Sequence, residues 1–169
     1  GIFGRHLDHL LRLALAGDLV EGDNALFEAY GPLATGVRRL ADSGVIVAAV
    51  AGNHDTEALP RLAREIEGFH LLGPGGTWSQ VTIPSDCGHS VQLVGWSFPG
   101  RHHSASPLLD ELPPSHGITL GLLHADLDAF GSEYAPVRKS ELVAAGLQGW
   151  FLGHVHRPDP IPTGSEPFY

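Results

Sequence analysis

Polar side chains follow four short apolar stretches of the sequence, at points where strands are predicted to end. The stretches occupy residues 15–16, 45–51, 118–123 and 150–152. The polar residues that follow them are, in chain order, Asp18, Asn53, His54, Asp55, His124, His154 and His156. Because strands that end at the same rim of a sheet bring such groups together, we predict that these residues converge on metal ions.

The residue types indicate which metals such a site would prefer. A carboxylate, an amide and several imidazoles suit borderline divalent ions such as Mn, Fe or Zn, whereas an all-oxygen set would indicate Mg or Ca. His154 and His156 are two residues apart, so in an extended segment both project to the same side and reach two neighbouring ions. Asp18 has two carboxylate oxygens and is able to bridge those ions. Each histidine alone would be interpreted as an ordinary polar residue, and the joint pattern favours the metal site.

Length, composition and charge restrict the class of protein. The chain has 169 residues, of which 43% are hydrophobic, enough for one globular domain with a buried core. Its net charge of −9 argues against a broad basic face that holds DNA. It does not exclude a phosphate substrate held by metal ions, which invert the local field. The single cysteine and the lack of any apolar run near 18 residues favour a cytoplasmic protein without membrane spans.

The spacing of apolar residues predicts an alternation of helices and strands. Helices are predicted around residues 7–14, 25–42, 57–67 and 141–145, the last capped by Ser140. Strands are predicted at residues 45–51, 69–72, 78–83, 91–98, 118–124 and 149–153, with antiparallel pairing between 69 and 98. Pro32 predicts a kink or a broken first turn in the second helix. No connection separates the first helix from Leu15, so we expect that a segment is missing near residues 14–15.

These motifs resemble the calcineurin-like metallophosphoesterase superfamily. The resemblance rests on Gly17-Asp18, Gly52-Asn53-His54-Asp55, His124 and Gly153-His154-Val155-His156. Four further sequence motifs are similar to the bacterial DNA-repair exonuclease branch, which comprises the nuclease subunit of the SbcD type and its YhaO-like relatives. These motifs are Gly95-Trp96-Ser97-Phe98-Pro99, Gly121-Leu122-Leu123-His124-Ala125-Asp126, Tyr134-Ala135-Pro136 and Gly149-Trp150-Phe151-Leu152-Gly153-His154-Val155-His156-Arg157-Pro158.

The resemblance implies a fold and a division of roles. The fold would be α/β (α+β), a four-layer α-β-β-α sandwich of two mixed sheets flanked by helices, formed by residues 1–169 as a single domain. Two divalent ions would be bound, with Mn favoured over Fe, Zn or Mg. Asp18 would bridge them, Asn53, His124 and His154 would complete one ion, and His156 would bind the other. His54, paired with Asp55, would be the catalytic residue that faces the scissile phosphate.

The sequence departs from the family pattern at its start and end. Nothing before Asp18 matches the Asp-x-His motif of the family's first strand, because the order His6-Leu7-Asp8 is reversed. We therefore expect that the first strand is missing, together with the C-terminal capping region of the nuclease branch. This expectation leaves open whether the chain as given holds both ions.

The resemblance also implies a reaction, a substrate and a partner. The expected reaction is two-metal phosphodiester hydrolysis by a DNA-repair exonuclease or endonuclease, working with an SbcC/Rad50-like SMC-type ATPase. A homodimer is also compatible with the family. Arg101, His102 and His103 are candidate contacts to the DNA backbone. Two alternatives stay open: a phosphatase or small-nucleotide phosphodiesterase with the same metals, and a scaffold without catalytic activity.

Overall fold

A computed structural model describes residues 12–21, 25–84 and 90–154 of the chain. Seven strands and three α-helices alternate along these residues. The strands are β1 (Arg12–Ala16), β2 (Ile46–Val50), β3 (Phe69–Leu71), β4 (Trp78–Ile83), β5 (Val91–Trp96), β6 (Ile118–Ala125) and β7 (Gly149–His154). The helices are α1 (Ala25–Asp42), α2 (Ala58–Glu65) and α3 (Lys139–Ala144), with a short 3-10 helix at Pro107–Leu109. Among the described residues, no helix has the length and apolar character needed to cross a membrane.

The strands form two sheets. The first has the order β1-β2-β3, and both of its pairings are parallel. The second has the order β4-β5-β6-β7, in which β4 is antiparallel to β5 and the other two pairings are parallel. The second sheet is therefore mixed, as expected, whereas the described part of the first sheet is parallel throughout.

Side chains of β2 alternate between two buried clusters, one against the helices and one against the second sheet. Val47 and Ala49 point to one side of the first sheet, where they join a buried cluster with residues of α1 and α2. Ala48 and Val50 point to the other side, where they pack against Leu93 and Leu122 of the second sheet. Because successive side chains of a strand project to opposite faces, a strand of small and β-branched residues is buried on both faces.

A further cluster completes the layered arrangement. Trp96 and Trp150 lie on the outer face of the second sheet and pack with Leu142 of α3. The order of layers is thus α1 and α2, the first sheet, the second sheet, and α3. This α/β architecture agrees with the fold class implied by the resemblance.

The structure corrects several local predictions. Arg12–Ala16 form a strand of five residues that pairs with β2 over its whole length, so the predicted helix does not extend to residue 14. Pairing with a buried neighbour outweighs the helical spacing of leucines in that region. β3 lies parallel to β2 in the first sheet, not antiparallel beside β4. The helix α1 runs through Pro32 without a break, and Arg138, not Ser140, is the N-cap of α3.

The prediction of a missing segment near residues 14–15 stays a prediction, as does the proposed single-domain boundary at 1–169. The strand β1 has the usual length of about five residues. Because residues 12–14 belong to this strand and not to a helix, the lack of a connection before Leu15 no longer supports a gap.

Candidate metal centre

The predicted ligands come from both sheets. Asp18 follows β1 and Asn53 follows β2, both in the first sheet. His124 lies near the end of β6 and His154 is the last residue of β7, both in the second sheet. Because these strands run parallel within their sheets, their carboxyl ends bring the four side chains to one rim of the sandwich.

His124 is the centre of this group. Its Nε2 atom lies 3.2 Å from Asp18 Oδ2, 3.1 Å from Asn53 Oδ1 and 3.1 Å from His154 Nδ1. Its other ring nitrogen, Nδ1, lies 2.8 Å from the carbonyl oxygen of Ala16. A carbonyl only accepts, so Nδ1 carries a proton and donates it. In the neutral form of the ring, Nε2 then has a lone pair directed at the cluster.

The chemistry of these four atoms fits a cation. A carboxylate oxygen, an amide oxygen and two imidazole nitrogens all present lone pairs to one small volume, and such atoms repel unless a proton or a metal ion lies among them. The ligand atoms of Asp18, His124 and His154 lie within 4.8 Å of one another. The mixture of oxygen and imidazole nitrogen suits Mn, Fe or Zn. The residues therefore fit a divalent metal ion.

Asp18 is held in an orientation suited to metal binding. Its backbone has a positive φ of 53°, which is uncommon for a residue other than glycine. Its Oδ1 atom accepts a hydrogen bond of 3.0 Å from the backbone N–H of His54, which leaves Oδ2 towards His124. Burial alone would raise the pKa of Asp18. When the two imidazoles are protonated, the hydrogen bonds from His124 and from the His54 N–H, together with both positive charges, outweigh burial and lower the pKa of Asp18 below its ordinary value.

Two glycines allow the backbone to approach this closely. A Cβ atom on Gly52 would lie 2.2 Å from Asp18 Oδ1, so only glycine leaves room for that carboxylate. A Cβ atom on Gly153 would lie 1.8 Å from the carbonyl oxygen of Ala16, the acceptor for His124. The glycine that precedes a ligand in these motifs thus has a steric reason.

Replacing Gly153 with alanine should therefore both destabilise the fold and weaken metal binding. The new methyl group would push β7 away from β1, because the atom it meets belongs to the backbone. We expect a loss of about 1–3 kcal/mol in the free energy of unfolding, measured by urea denaturation. Gly36→Ala is the matched control, since open space surrounds Gly36 inside α1 and alanine should raise stability by about 0.5–1 kcal/mol. Equal stability of both variants would contradict the close approach.

The side chains of His54 and Asp55 bind different partners in the structure. The Asp55 carboxylate is fully buried and accepts backbone hydrogen bonds from Leu19 (2.8 Å) and Gly52 (2.7 Å). Burial raises the pKa of Asp55, although these two hydrogen bonds act in the opposite direction. His54 is exposed, and its Nδ1 lies 3.1 Å from Glu21 Oε2. The predicted pairing of His54 with Asp55 is therefore wrong: Asp55 fixes the loop backbone, and Glu21 orients the imidazole.

The candidate DNA contacts Arg101, His102 and His103 differ in their environments. Arg101 and His102 are exposed, and His102 lies 3.4 Å from Glu133 through its Nδ1. His103 is half-buried, with its ring 4.9 Å from the ring of Trp96. Because Trp96 belongs to the core, His103 is a packing residue of this loop. A phosphate contact stays a prediction for Arg101 and His102.

The sequence analysis assigned no role to two residues of the site. Glu21 beside His54 and Asp126 beside His154 are loop carboxylates, and a loop has no periodicity to single them out. Asp126 Oδ1 lies 3.3 Å from His154 Nε2, on the side of the imidazole away from the cluster. The predicted ligand His156 lies outside the described residues, so the second ion also stays a prediction.

Comparison with known proteins gives one informative relative. No protein-family model matches the chain. The chain is similar to the uncharacterized metallophosphoesterase YhaO of Bacillus subtilis (strain 168), with 28% identity over 177 residues. The similarity covers 90% of this chain and 37% of that protein, so the chain spans little more than a third of its relative's length. Together with the two-sheet fold and the ligand cluster, this similarity supports the assignment of the chain to the metallophosphoesterase superfamily.

Proposed function

We propose that this chain hydrolyses phosphoester bonds with a divalent metal ion held by Asp18, Asn53, His124 and His154. The observation that carries the proposal is the convergence of three ligand atoms within 3.2 Å of His124 Nε2. No proton lies between these atoms when a neutral His124 donates from Nδ1 to Ala16 and His154 carries its proton on Nε2, beside Asp126. A cation satisfies all of them at once, and hydrolysis of phosphoesters is the chemistry in the name of its relative.

Each residue has a distinct task in this reaction. A divalent ion, when bound, supplies positive charge for the phosphoryl oxygens and makes a water molecule acidic near neutral pH. Asp18 is turned towards the cluster by the His54 N–H, and His124 is fixed by Ala16. The His54 imidazole is half exposed, with 48% of its side chain accessible, so a substrate is able to reach it. With Glu21 holding its Nδ1, His54 presents Nε2 and donates a proton to the leaving oxygen.

At a finer level, we propose a nucleic-acid phosphodiester as substrate, with a dinuclear Mn site that His156 completes. The sequence motifs that resemble the exonuclease branch support the substrate. The mixture of imidazole and oxygen ligands supports Mn. An acidic chain of net charge −9 would bind DNA through its metal ions and not through a basic face. An SMC-type ATPase partner follows from the same resemblance, and the single cysteine favours a cytoplasmic location. Both are part of this proposal.

The test uses the full-length protein with Mn on three substrates: labelled duplex DNA, bis-p-nitrophenyl phosphate and p-nitrophenyl phosphate. We expect Mn-dependent cleavage of the DNA and of the diester. Turnover of the monoester alone would replace the nuclease with a phosphatase, an alternative that the acidic net charge leaves open. Turnover of none, with Mn bound, would leave a metal-binding scaffold and overturn the proposal.

Replacing Glu21 with glutamine should lower kcat and leave metal content unchanged. Glutamine keeps an acceptor for His54 but removes the negative charge 3.1 Å from its Nδ1. Part of the roughly 10²–10⁴-fold contribution of a positioned proton donor is then lost. The measurement is kcat on the diester with metal analysis of the same sample. Glu57→Gln is the control, because Glu57 is also an exposed glutamate and makes no side-chain capping hydrogen bond. Equal kcat for both variants would remove Glu21 from the mechanism.

A further inference from the structure

The backbone of His154 adopts an unusual conformation. Its φ is +84°, in a region that residues other than glycine rarely adopt. Such a conformation persists only where neighbouring groups hold it, and it is concentrated at functional sites. Three neighbouring side chains, those of His124, Asp126 and Tyr134, contact the imidazole of His154 at the end of β7.

The two ring nitrogens of His154 face different partners. Nδ1 lies 3.1 Å from His124 Nε2, inside the ligand cluster. Nε2 lies 3.3 Å from Asp126 Oδ1. Because a carboxylate only accepts, it keeps the proton on Nε2 and leaves the lone pair of Nδ1 for the cluster.

Asp126 is itself held by the loop that it begins. Its Oδ2 accepts a hydrogen bond from the hydroxyl of Ser132, and that hydroxyl accepts one of 3.0 Å from the backbone N–H of Tyr134. The backbone of Asp126 pairs with the loop as well, donating to Tyr134 O at 3.0 Å and accepting from Val137 at 2.9 Å. The carboxylate is therefore fixed at both oxygens, unlike that of a solvated surface acid.

The same loop holds the other face of the imidazole. The ring of Tyr134 lies 5.2 Å from the ring of His154, with an angle of 37° between their planes. The loop is anchored to a second loop by the hydrogen bonds Ala135 N–H to His103 O and His103 N–H to Glu133 O. A ring contact and a carboxylate thus restrict His154 from two directions.

We infer that Asp126 is a positioning residue for His154, and that the segment from Asp126 to Tyr134 sets the metal affinity of this site. The inference rests on the metal role of His154 in the proposed function. Asp126 does not touch the ion; it selects the tautomer and the orientation of a residue that does. Partners of this kind change metal affinity by about 10–100-fold when they are removed.

The test compares Mn affinity among variants of the full-length, metal-free protein, by electron paramagnetic resonance of unbound Mn. Asp126→Ala should weaken binding by about 10–100-fold, and Asp126→Asn, which keeps an acceptor but no charge, by less. Ser132→Ala should weaken it to a lesser extent, because it only releases the carboxylate. Asp128→Asn is the control: Asp128 belongs to the same loop and accepts the Lys139 N–H at 3.0 Å, a bond that asparagine also makes.

Two further readouts separate positioning from a general loss of structure. The melting temperature of metal-free Asp126→Asn should match that of the wild type. The spin-echo modulation from directly bound imidazole nitrogen should weaken in Asp126→Ala relative to Asp128→Asn. An unchanged nitrogen signal together with unchanged affinity in Asp126→Ala would overturn the inference.

The outcomes distinguish this inference from the proposed hydrolysis. Weaker Mn binding in Asp126→Ala, without phosphodiester turnover by the wild type, would support the positioning role and overturn the hydrolysis. Phosphodiester turnover by the wild type, with equal Mn affinity in the wild type and Asp126→Ala, would support the hydrolysis and overturn the positioning role. A wild-type protein that binds no divalent ion would overturn both.

Discussion

His124→Ala should abolish metal binding at the described site. His124 Nε2 lies within 3.2 Å of a ligand atom from each of Asp18, Asn53 and His154, so it contacts all three of the other ligands. Its removal takes away both a ligand and the neighbour that Asp18 Oδ2, Asn53 Oδ1 and His154 Nδ1 share. We expect a loss of Mn affinity greater than the roughly 10–100-fold typical of residues that only support a ligand. Turnover of phosphodiester should fall below detection.

The measurement is calorimetric titration of metal-free protein with Mn, together with its melting temperature. His70→Ala is the matched control, because His70 is an exposed histidine of β3 in the first sheet. Retention of wild-type affinity by His124→Ala would show that the cluster is a set of hydrogen bonds and not a metal site.

His54→Ala should have the opposite signature: normal metal content with low kcat. His54 interacts with Asp18 through its backbone N–H, which alanine retains, and its side chain is directed to Glu21. Loss of a positioned proton donor costs about 10²–10⁴-fold in rate. The loss should be largest for a diester with a poor leaving group and small for a nitrophenyl ester, whose leaving oxygen needs no proton.

Metal analysis and kcat on two diesters of different leaving group test this expectation. A similar loss on both esters would exclude proton donation, and loss of the metal itself would make His54 a ligand. His70→Ala is the control, as an exposed histidine of β3 outside the ligand cluster.

The sequence predicted the strands of the core better than their arrangement. Residues 46–50 and 118–125 are largely apolar runs buried on both faces, and such runs are typical of strands in parallel sheets. Residues 12–14 were predicted as a helix but belong to β1, and residues 69–71 were predicted correctly as a strand but with the wrong pairing. Pairing with β2 decides both, and β2 is distant in the sequence.

The metal ligands at strand ends were predicted from the sequence, whereas the carboxylates that support them were not. The residues that follow apolar strands were found, since a strand end determines where its side chains lie, and the structure brings Asp18, Asn53, His124 and His154 together. The supporting carboxylates were not found. Adjacency in the sequence suggested Asp55 for His54, but consecutive side chains diverge, and the partner that reaches the ring comes from another loop.

The origin of the ligands, two from each sheet, has a consequence for stability. An ion bound by Asp18, Asn53, His124 and His154 would be a cross-link between the sheets at one end of the core. Any opening of the sandwich at that end would have to release the ion, so its binding free energy adds to that of folding. At a concentration 1,000 times the Kd this amounts to about 4.1 kcal/mol. Metal occupancy would then be measurable as a thermal shift, even in a variant that catalyses nothing.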